Sequence, residues 1–596
     1  MRAISSVDRA LASGAKGRGF ESRIARHFFE GFNDMHQLLK TEPCSMLLLG
    51  NEAIVRGALE AGVRVSAAYP GTPSSEIGNN LFQIHSECPE LVYFEFSVNE
   101  KVAMEVAAAA AAAGLRSLTC MKHVGMNVAS DAMMSLAYVG VRAGMVIVCA
   151  DDPSIHSSQN EQDNRFYGKM SFLPILEPSS PQEAKDLVKR AFELSEALEL
   201  PVILRTTTRT AHVRGPVQLE ALPDAPKGLG RFQKDARRWV LVPGTARLRR
   251  KVLLERFEQA SAISEGFEFN EIIGSGDVGI VASGVSRGYV WDALHDMDCT
   301  NQVSFLSLVM THPLPEKTIV NFAQNKKMLL VVEELEPFLE EEIRGVLQKN
   351  GVTTPVYGKN GAYLPRMSEF NPAQVRAAIA KCLGHSLVQQ GPLQPPDMPP
   401  LPMRPPALCK GCPHAETYNL IKEVVHDLGL NEDVLYPTDI GCYTLGVMPP
   451  IQMADYLICM GSSVGSSAGF SVSTHQKIIS FIGDSTFFHS GVSSLINAVH
   501  QGHRFCLVIL DNSTTAMTGH QPNPGIQYVP PEYKKTRVPI EQVVRGCGVQ
   551  HVFKINPHKK DESLPVVREA LSLNELVVII SESPCILYAK KVGGRR

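Results

Sequence analysis

The stretch GDSTFFHSGVSSLINAVHQGHRFCLVILDNSTTAMTG, residues 483–519, decides the fold of this chain. An apolar run at 477–482 (KIISFI) precedes it and reads as a buried strand. The turn Gly483-Asp484-Ser485 then leads into a helix rich in small residues, and a second apolar run, FCLVIL at 505–510, ends on Asp511-Asn512-Ser513-Thr514. Two strand-length runs joined by a helix make a βαβ unit, and in an open parallel sheet both strands deliver their carboxyl ends to one crevice. The pattern therefore predicts that Asp484 and Asn512 meet in space. A carboxylate, an amide oxygen and a nearby backbone carbonyl fill half an octahedron around a hard cation and leave the rest to phosphate oxygens and water. The plain alternative is a parallel-sheet turn with a satisfied Asp cap.

Asn512 stands 28 residues after Asp484. With that spacing the stretch resembles the thiamine diphosphate motif, GDG followed by a downstream Asn or Thr, in the form carried by the 2-oxoacid:ferredoxin oxidoreductases. The resemblance implies that Asp484, the Asn512 side chain and the Thr514 carbonyl are magnesium ligands, with Gly483 and Ser485 beside the diphosphate. Ser485 departs from the motif, replacing its last glycine with another small residue.

Bulk properties are consistent with this. A chain of 596 residues, 44% hydrophobic and 20% charged, is long enough for several packed domains. A formal net charge of −3, with no Lys/Arg block, supplies no electrostatic reason to bind nucleic acid. The apolar runs are strand-length, and the alanine run at 106–113 is too short to span a bilayer, so a soluble, cytoplasmic protein is expected. Most of the thirteen cysteines sit in apolar runs (Cys149, Cys459, Cys506) and read as reduced core thiols. Residues 1–45 read as an N-terminal extension, with 1–40 expected to be absent from the native protein: their arginine-rich, acid-poor start resembles a transit peptide or the read-through of a mis-called start, and they lack the apolar core of a secretory signal.

From Ser45 the chain alternates helix-like and strand-like segments, an α/β pattern. Residues 47–60 read as a helix, 64–69 as a strand, and Pro70-Gly71-Thr72-Pro73-Ser74-Ser75 as a turn opening a helix at the ligand-binding end of that strand. Glu100 then begins a helix that runs into Ala107–Ala113. The pair YPGTPSS and VNEKVAMEVAAAAAAAG resembles the pyrimidine-binding domain of the same oxidoreductases. The resemblance makes Thr72 a cofactor contact and Glu100 the carboxylate that bonds N1′ of the aminopyrimidine and drives its imino tautomer. An ordinary first-turn glutamate is the competing reading.

The strings MKHVGMNVASD (121–131) and DDPSIHSSQNEQDNR (151–165) resemble the alpha subunit of indolepyruvate:ferredoxin oxidoreductase, which narrows the implied substrate to aryl pyruvates. Lys122 and His123 would then lie near the substrate carboxylate as catalytic residues; simple surface placement is the alternative.

A charged, irregular connector is expected at 216–270, dividing a pyrimidine-binding domain (46–215) from a middle α/β domain (271–390) of the transketolase C-terminal kind. Glu333 and Glu334 end a strand there and read as solvated acids. A stiff proline-rich linker, GPLQPPDMPPLPMRPP at 391–406, leads into a thiamine diphosphate-binding domain at 407–596.

Four cysteines stand apart. Cys409-Lys-Gly-Cys412 follows the linker, Cys442 follows Asp439-Ile-Gly, and Cys585 follows Ser-Pro. A C-x-x-C serves zinc, redox or iron–sulfur chemistry. The set resembles the four ligands of the 4Fe-4S cluster nearest the thiamine in pyruvate:ferredoxin oxidoreductase, and structural zinc is its rival. The family resemblance also implies a cysteine-dense ferredoxin-like segment beyond this point. It is absent from the sequence, which ends at Arg596, so electrons are expected to leave by a separate ferredoxin or a cluster-bearing partner.

Together these readings describe a multidomain α/β enzyme resembling indolepyruvate:ferredoxin oxidoreductase. The resemblance implies thiamine diphosphate, Mg2+ and a 4Fe-4S cluster, with coenzyme A as co-substrate. It further implies a beta subunit partner, ferredoxin or a similar electron acceptor, and a dimer of heterodimers. A non-oxidative thiamine-dependent decarboxylase would need none of the four cysteines, an oxidoreductase for another 2-oxoacid would keep them, and a non-catalytic homologue would not need Glu100 or Asp484.

Overall fold

The computed structural model describes residues 36–223, 228–386, 406–430, 433–526 and 536–593, which divide into two units, one within 36–386 and one within 406–593. The proline-rich linker lies almost wholly outside the described residues, as do residues 1–35 of the N-terminal extension.

The first unit is built on a seven-stranded sheet. Its strand order is Met310–His312, Ile175–Leu176, Val202–Thr207, Met145–Asp151, Ser117–Lys122, Val65–Ala68, Tyr93–Phe96, parallel except for the first strand. Met145–Asp151 and Val202–Thr207 are buried at every position, because helices cover both faces of a parallel sheet and leave no polar side to alternate with. The caps are local. Asn99 accepts the Val102 N–H at 2.9 Å to start the helix Glu100–Ala112, and Ser180 accepts the Glu183 N–H at the start of Pro181–Leu198, where proline takes the first helical position.

A second sheet in the same unit runs Val356–Tyr357, Met328–Val332, Val278–Ser283, Val303–Leu308, Glu271–Gly274, with the last strand antiparallel. Directly after Val303–Leu308 the chain crosses to lay Met310–His312 against Ile175–Leu176 of the first sheet. A buried ion network reinforces this lacing. Arg165, fully buried, donates to Asp163 and at 2.6 Å to Glu333 Oε2, while Arg205 bonds Asp151 and Glu177. Glu333 and Glu334 are therefore not the solvated acids expected. Both are buried, Glu333 accepting the N–H groups of Leu339 and Glu340 and Glu334 that of Phe370.

Three other expectations change. Residues 47–49 belong to the strand Cys44–Leu49, which pairs antiparallel with Arg214–Leu219; the helix begins only at Gly50, whose close approach to the Thr210 carbonyl leaves no room for a side chain. The stretch 216–270 is largely ordered and includes the 22-residue helix Pro243–Ser264, whose many charges make its solvated face look irregular in sequence. Cys459 is exposed rather than a core thiol.

The second unit carries a five-stranded parallel sheet in the order Val434–Leu435, Lys477–Gly483, Cys506–Asp511, Val577–Glu582, His551–Ile555. Lys477–Gly483 and Cys506–Asp511 are adjacent, with Gly483 opposite Leu510. The intervening helical stretch runs from Asp484 to Gln501 with a widened turn at Phe487–Gly491.

Candidate functional site

In the first unit, the carboxyl ends of three neighbouring parallel strands bring the expected residues to one edge. Thr72 lies on the turn after Val65–Ala68, Glu100 opens the helix after Tyr93–Phe96, Lys122 ends its strand and His123 begins the next helix. The turn is held from behind: Asn51 Nδ2 donates to the Pro73 carbonyl at 2.7 Å and to Glu76 Oε2 at 2.8 Å, and Ser74 Oγ donates to the Gly71 carbonyl. Gly71 lets the Lys122 stem lie close over the turn, where a Cβ would stand 3.0 Å from Lys122 Cγ.

Glu100 is buried, and its stem lies across the helix His123–Val139 at Gly125. A Cβ on Gly125 would fall 2.7 Å from both Cγ and Oε1 of Glu100. Glu100 and Asp152 both favour the charged form of Lys122, but burial outweighs them and lowers its pKa to about 8; its Nζ donates to the Ser157 carbonyl at 2.7 Å. His123 is wholly buried. Burial first, then the Lys122 charge, holds it down to about 4, so it is neutral near pH 7. Of the two residues expected to face a substrate carboxylate, only Lys122 supplies a cation. His123 Nε2 meets Asn160 Oδ1 at 3.1 Å, and its Nδ1 has no partner among the described residues.

The polar loop after Met145–Asp151 thus cups Lys122 and His123. It is pinned in turn by Glu161 Oε1, which accepts the N–H groups of Ser154 at 2.6 Å and Ser368 at 2.9 Å.

In the second unit, Asp484, Asn512 and Thr514 occupy the ends of adjacent strands, all buried. Burial, then the neighbouring Asp511 carboxylate, raises Asp484 to about 8, and Asp511 is itself raised by burial and by Glu582. Buried acids raised by burial and by neighbouring carboxylates are a donor environment that a divalent cation relieves. Asp484 Oδ1 takes the Ser485 N–H at 2.8 Å and Oδ2 takes Asn523 Nδ2 at 3.0 Å. Ser485 Oγ accepts from Thr515 Oγ1, a use for the hydroxyl that a glycine could not have. Gly483 makes room for the ring of Tyr443, whose Cε1 would lie 2.7 Å from a Cβ. Tyr443 donates to the buried Asp439, which also accepts from Ser463 Oγ at 2.6 Å.

Cys409, Cys412, Cys442 and Cys585 share one electrostatic neighbourhood. Burial pushes the Cys442 thiol up to about 12, and the nearby Cys585, Cys412 and Cys409 add to it; Cys412 and Cys585 are raised for the same reasons. Three thiols whose ionisation is disfavoured by burial and by one another in the bare chain, with Cys409 beside them, suit a positively charged iron or zinc centre, which would reverse that preference. Among the described residues, however, no three His, Cys, Asp or Glu side chains are gathered closely enough to hold a single metal ion. The expected magnesium set has only one such side chain, Asp484, and so falls outside that criterion.

Sequence reasoning missed Asn523, His414, Tyr443 and Gly125. His414, on the first turn of the helix Pro413–Asp427, and Tyr443, in the turn Cys442–Val447, come from segments N-terminal to the motif, and Asn523 from the loop just after it. Gly125 sits inside MKHVGMNVASD, and a glycine early in a helix was the available signal.

Comparison with known proteins places these two regions in one class. A model described as the C-terminal TPP binding domain of thiamine pyrophosphate enzymes matches residues 439–581. Another, described as the thiamine diphosphate-binding part of pyruvate flavodoxin/ferredoxin oxidoreductase, matches residues 56–252. The chain is thus a thiamine diphosphate-dependent oxidoreductase of the 2-oxoacid type. It is 48% identical to indolepyruvate oxidoreductase subunit IorA of Methanothermobacter marburgensis, over 92% of this chain and 88% of the relative. The corresponding subunit of Archaeoglobus fulgidus is 46% identical, over 91% and 87%, and that of Thermococcus kodakarensis 41%, over 92% and 87%. The chain belongs to the indolepyruvate oxidoreductase IorA family.

Proposed function

We propose that this chain is the thiamine diphosphate-carrying subunit of an oxidoreductase that decarboxylates aryl pyruvates of the indolepyruvate type to acyl-coenzyme A, passing electrons to ferredoxin or a similar acceptor. The partner is a beta subunit, as the relatives' designation as subunits suggests, in a cytoplasmic dimer of heterodimers. Among the described residues no helix is long and apolar enough to cross a membrane. The observation that supports the oxidative reading is the grouping of Cys409 with Cys412, Cys442 and Cys585, the last three raised by burial and by neighbouring thiols, in the same unit as the Asp484–Asn512 strand ends. A decarboxylase without electron transfer has no use for them.

Bound thiamine diphosphate would supply a nucleophilic carbon and an electron sink, and a 4Fe-4S cluster on Cys409, Cys412, Cys442 and Cys585 a one-electron acceptor. The chain's own residues do the rest. Asp484, Asn512 and the Thr514 carbonyl would hold magnesium, with Gly483 and Ser485 beside the diphosphate. Glu100 would share a proton with the pyrimidine ring nitrogen, from a buried site that excludes water and strengthens that bond. Lys122 Nζ would pair with the substrate carboxylate. His123, held neutral, would offer its unpartnered Nδ1 as a hydrogen-bonding group rather than a charge, and Thr72 would line the cofactor from the turn.

The test is to purify the chain with its partner subunit anaerobically, assay iron and acid-labile sulfide, and measure coenzyme A-dependent dye reduction with indolepyruvate against aliphatic 2-oxoacids. Asp484→Ala should abolish magnesium-dependent thiamine diphosphate binding with the fold intact. Zinc without sulfide, or decarboxylation without dye reduction, would defeat the oxidative reading.

A further inference from the structure

Three segments that carry cysteines also hold the Asp484–Asn512 strand ends, each through an atom within two residues of its cysteine. The Cys585 N–H donates to the Asn512 carbonyl at 2.9 Å. Tyr443, following Cys442, packs against Gly483, and its own carbonyl is held by the Tyr418 hydroxyl at 2.8 Å. His414, two residues after Cys412, places Nε2 3.0 Å from Asn512 Nδ2.

The last contact matters most, because an amide bound through the wrong end offers a cation its nitrogen. Asn512 Oδ1 accepts the Thr514 N–H at 3.1 Å, which puts the oxygen on the Thr514 side and Nδ2 toward the ring. A ring nitrogen facing an N–H donor is an acceptor. The ring is buried at the first turn of the helix Pro413–Asp427, with Pro413 fixing the entry from Cys412, and it lies edge-to-face with Tyr443 at 6.0 Å.

We propose that His414 is a positioning residue for the magnesium–diphosphate site: its Nε2 holds the Asn512 amide so that the oxygen, which keeps a second lone pair beside the Thr514 N–H, rather than the nitrogen is the atom offered to the cation, tying the Cys412 helix start to cofactor binding. The inference rests on the reading of Asp484, Asn512 and Thr514 as magnesium ligands. No proton moves and no bond forms; the contribution is the orientation of one ligand.

The experiment uses the purified full-length chain and follows thiamine diphosphate binding by calorimetry as magnesium is titrated. A matching titration uses Mn2+, read by its paramagnetic resonance. His414→Phe fills the space without an acceptor, His414→Leu does so with less bulk, and His414→Gln restores an acceptor oxygen. Loss of one hydrogen bond should raise the magnesium midpoint about tenfold in Phe and Leu, with most of it recovered in Gln. In an Asn512→Asp background, whose side chain has no N–H to donate, His414→Phe should change the midpoint little. Iron content should not follow the midpoint, since all four cysteines remain. A wild-type midpoint in folded His414→Phe or His414→Leu overturns the inference, as does an equal effect in the Asn512→Asp background. If neither apolar variant folds, a wild-type-like midpoint in His414→Gln supports the inference and a large rise overturns it. Absence of any magnesium-dependent binding in the wild type overturns the site assignment itself, and this inference with it.

Discussion

Gly125→Ala tests the placement of Glu100 without touching Glu100. The new methyl group would stand 2.7 Å from Glu100 Cγ and Oε1 and 3.0 Å from Cδ. Ordinary carbon contacts lie at ~3.5–4.0 Å, so the side chain must retreat by about 1 Å. The backbone on which Gly125 sits is helical, where alanine is favoured over glycine by ~1 kcal/mol. Overpacking costs ~1–3 kcal/mol, so the net destabilisation is at most about 2 kcal/mol and the unit should remain folded. Misplacing a reacting group by that distance costs ~10²-fold in rate. The assay is hydrogen–deuterium exchange at C2 of bound thiamine diphosphate, with Glu100→Gln as the floor and thermal unfolding as the control. Slowed exchange in a folded, cofactor-bound variant is the expected result. An unchanged exchange rate, with Glu100→Gln slow, would show that the carboxylate acts from a position Gly125 does not control. Normal exchange in Glu100→Gln would return Glu100 to the role of a helix-end acid.

Two further predictions concern the scaffold of the first unit. His312 is buried between the rings of Phe257 and Phe338, and burial lowers its pKa from 6.5 to about 4. The unfolded chain binds that proton at higher pH than the folded one, so the stability is complete above pH 6.5 and is lost as pH falls toward 4. At ~1.4 kcal/mol per pKa unit the loss reaches about 3 kcal/mol, and urea unfolding of His312→Gln should be correspondingly less sensitive to acid over that window. Arg165→Met should leave the buried carboxylates of Asp163 and Glu333 unpaired and cost ~3–5 kcal/mol; an unchanged urea midpoint would mean that these acids take up protons without consequence.

The sequence alone determined the order of strands and helices around residues 477–514, because apolar runs of strand length with Asp and Asn at their carboxyl ends leave few ways to build a parallel sheet. It also marked Glu100, Lys122 and the four non-core cysteines, since a carboxylate at a helix start and cysteines beside prolines and glycines stand out from their surroundings. Burial was what it could not supply. Whether Glu333 and Glu334 face water depends on Arg165, far away in sequence, and whether His123 carries a charge depends on a loop that closes over it. The long helix at 243–264 was hidden because its charged exposed face dilutes the apolar period. Tertiary structure alone brought His414 to Asn512, Asn523 to Asp484 and Gly125 to Glu100. These are contacts between segments that no local pattern connects, and each is set by how whole elements pack rather than by the residues on either side of it.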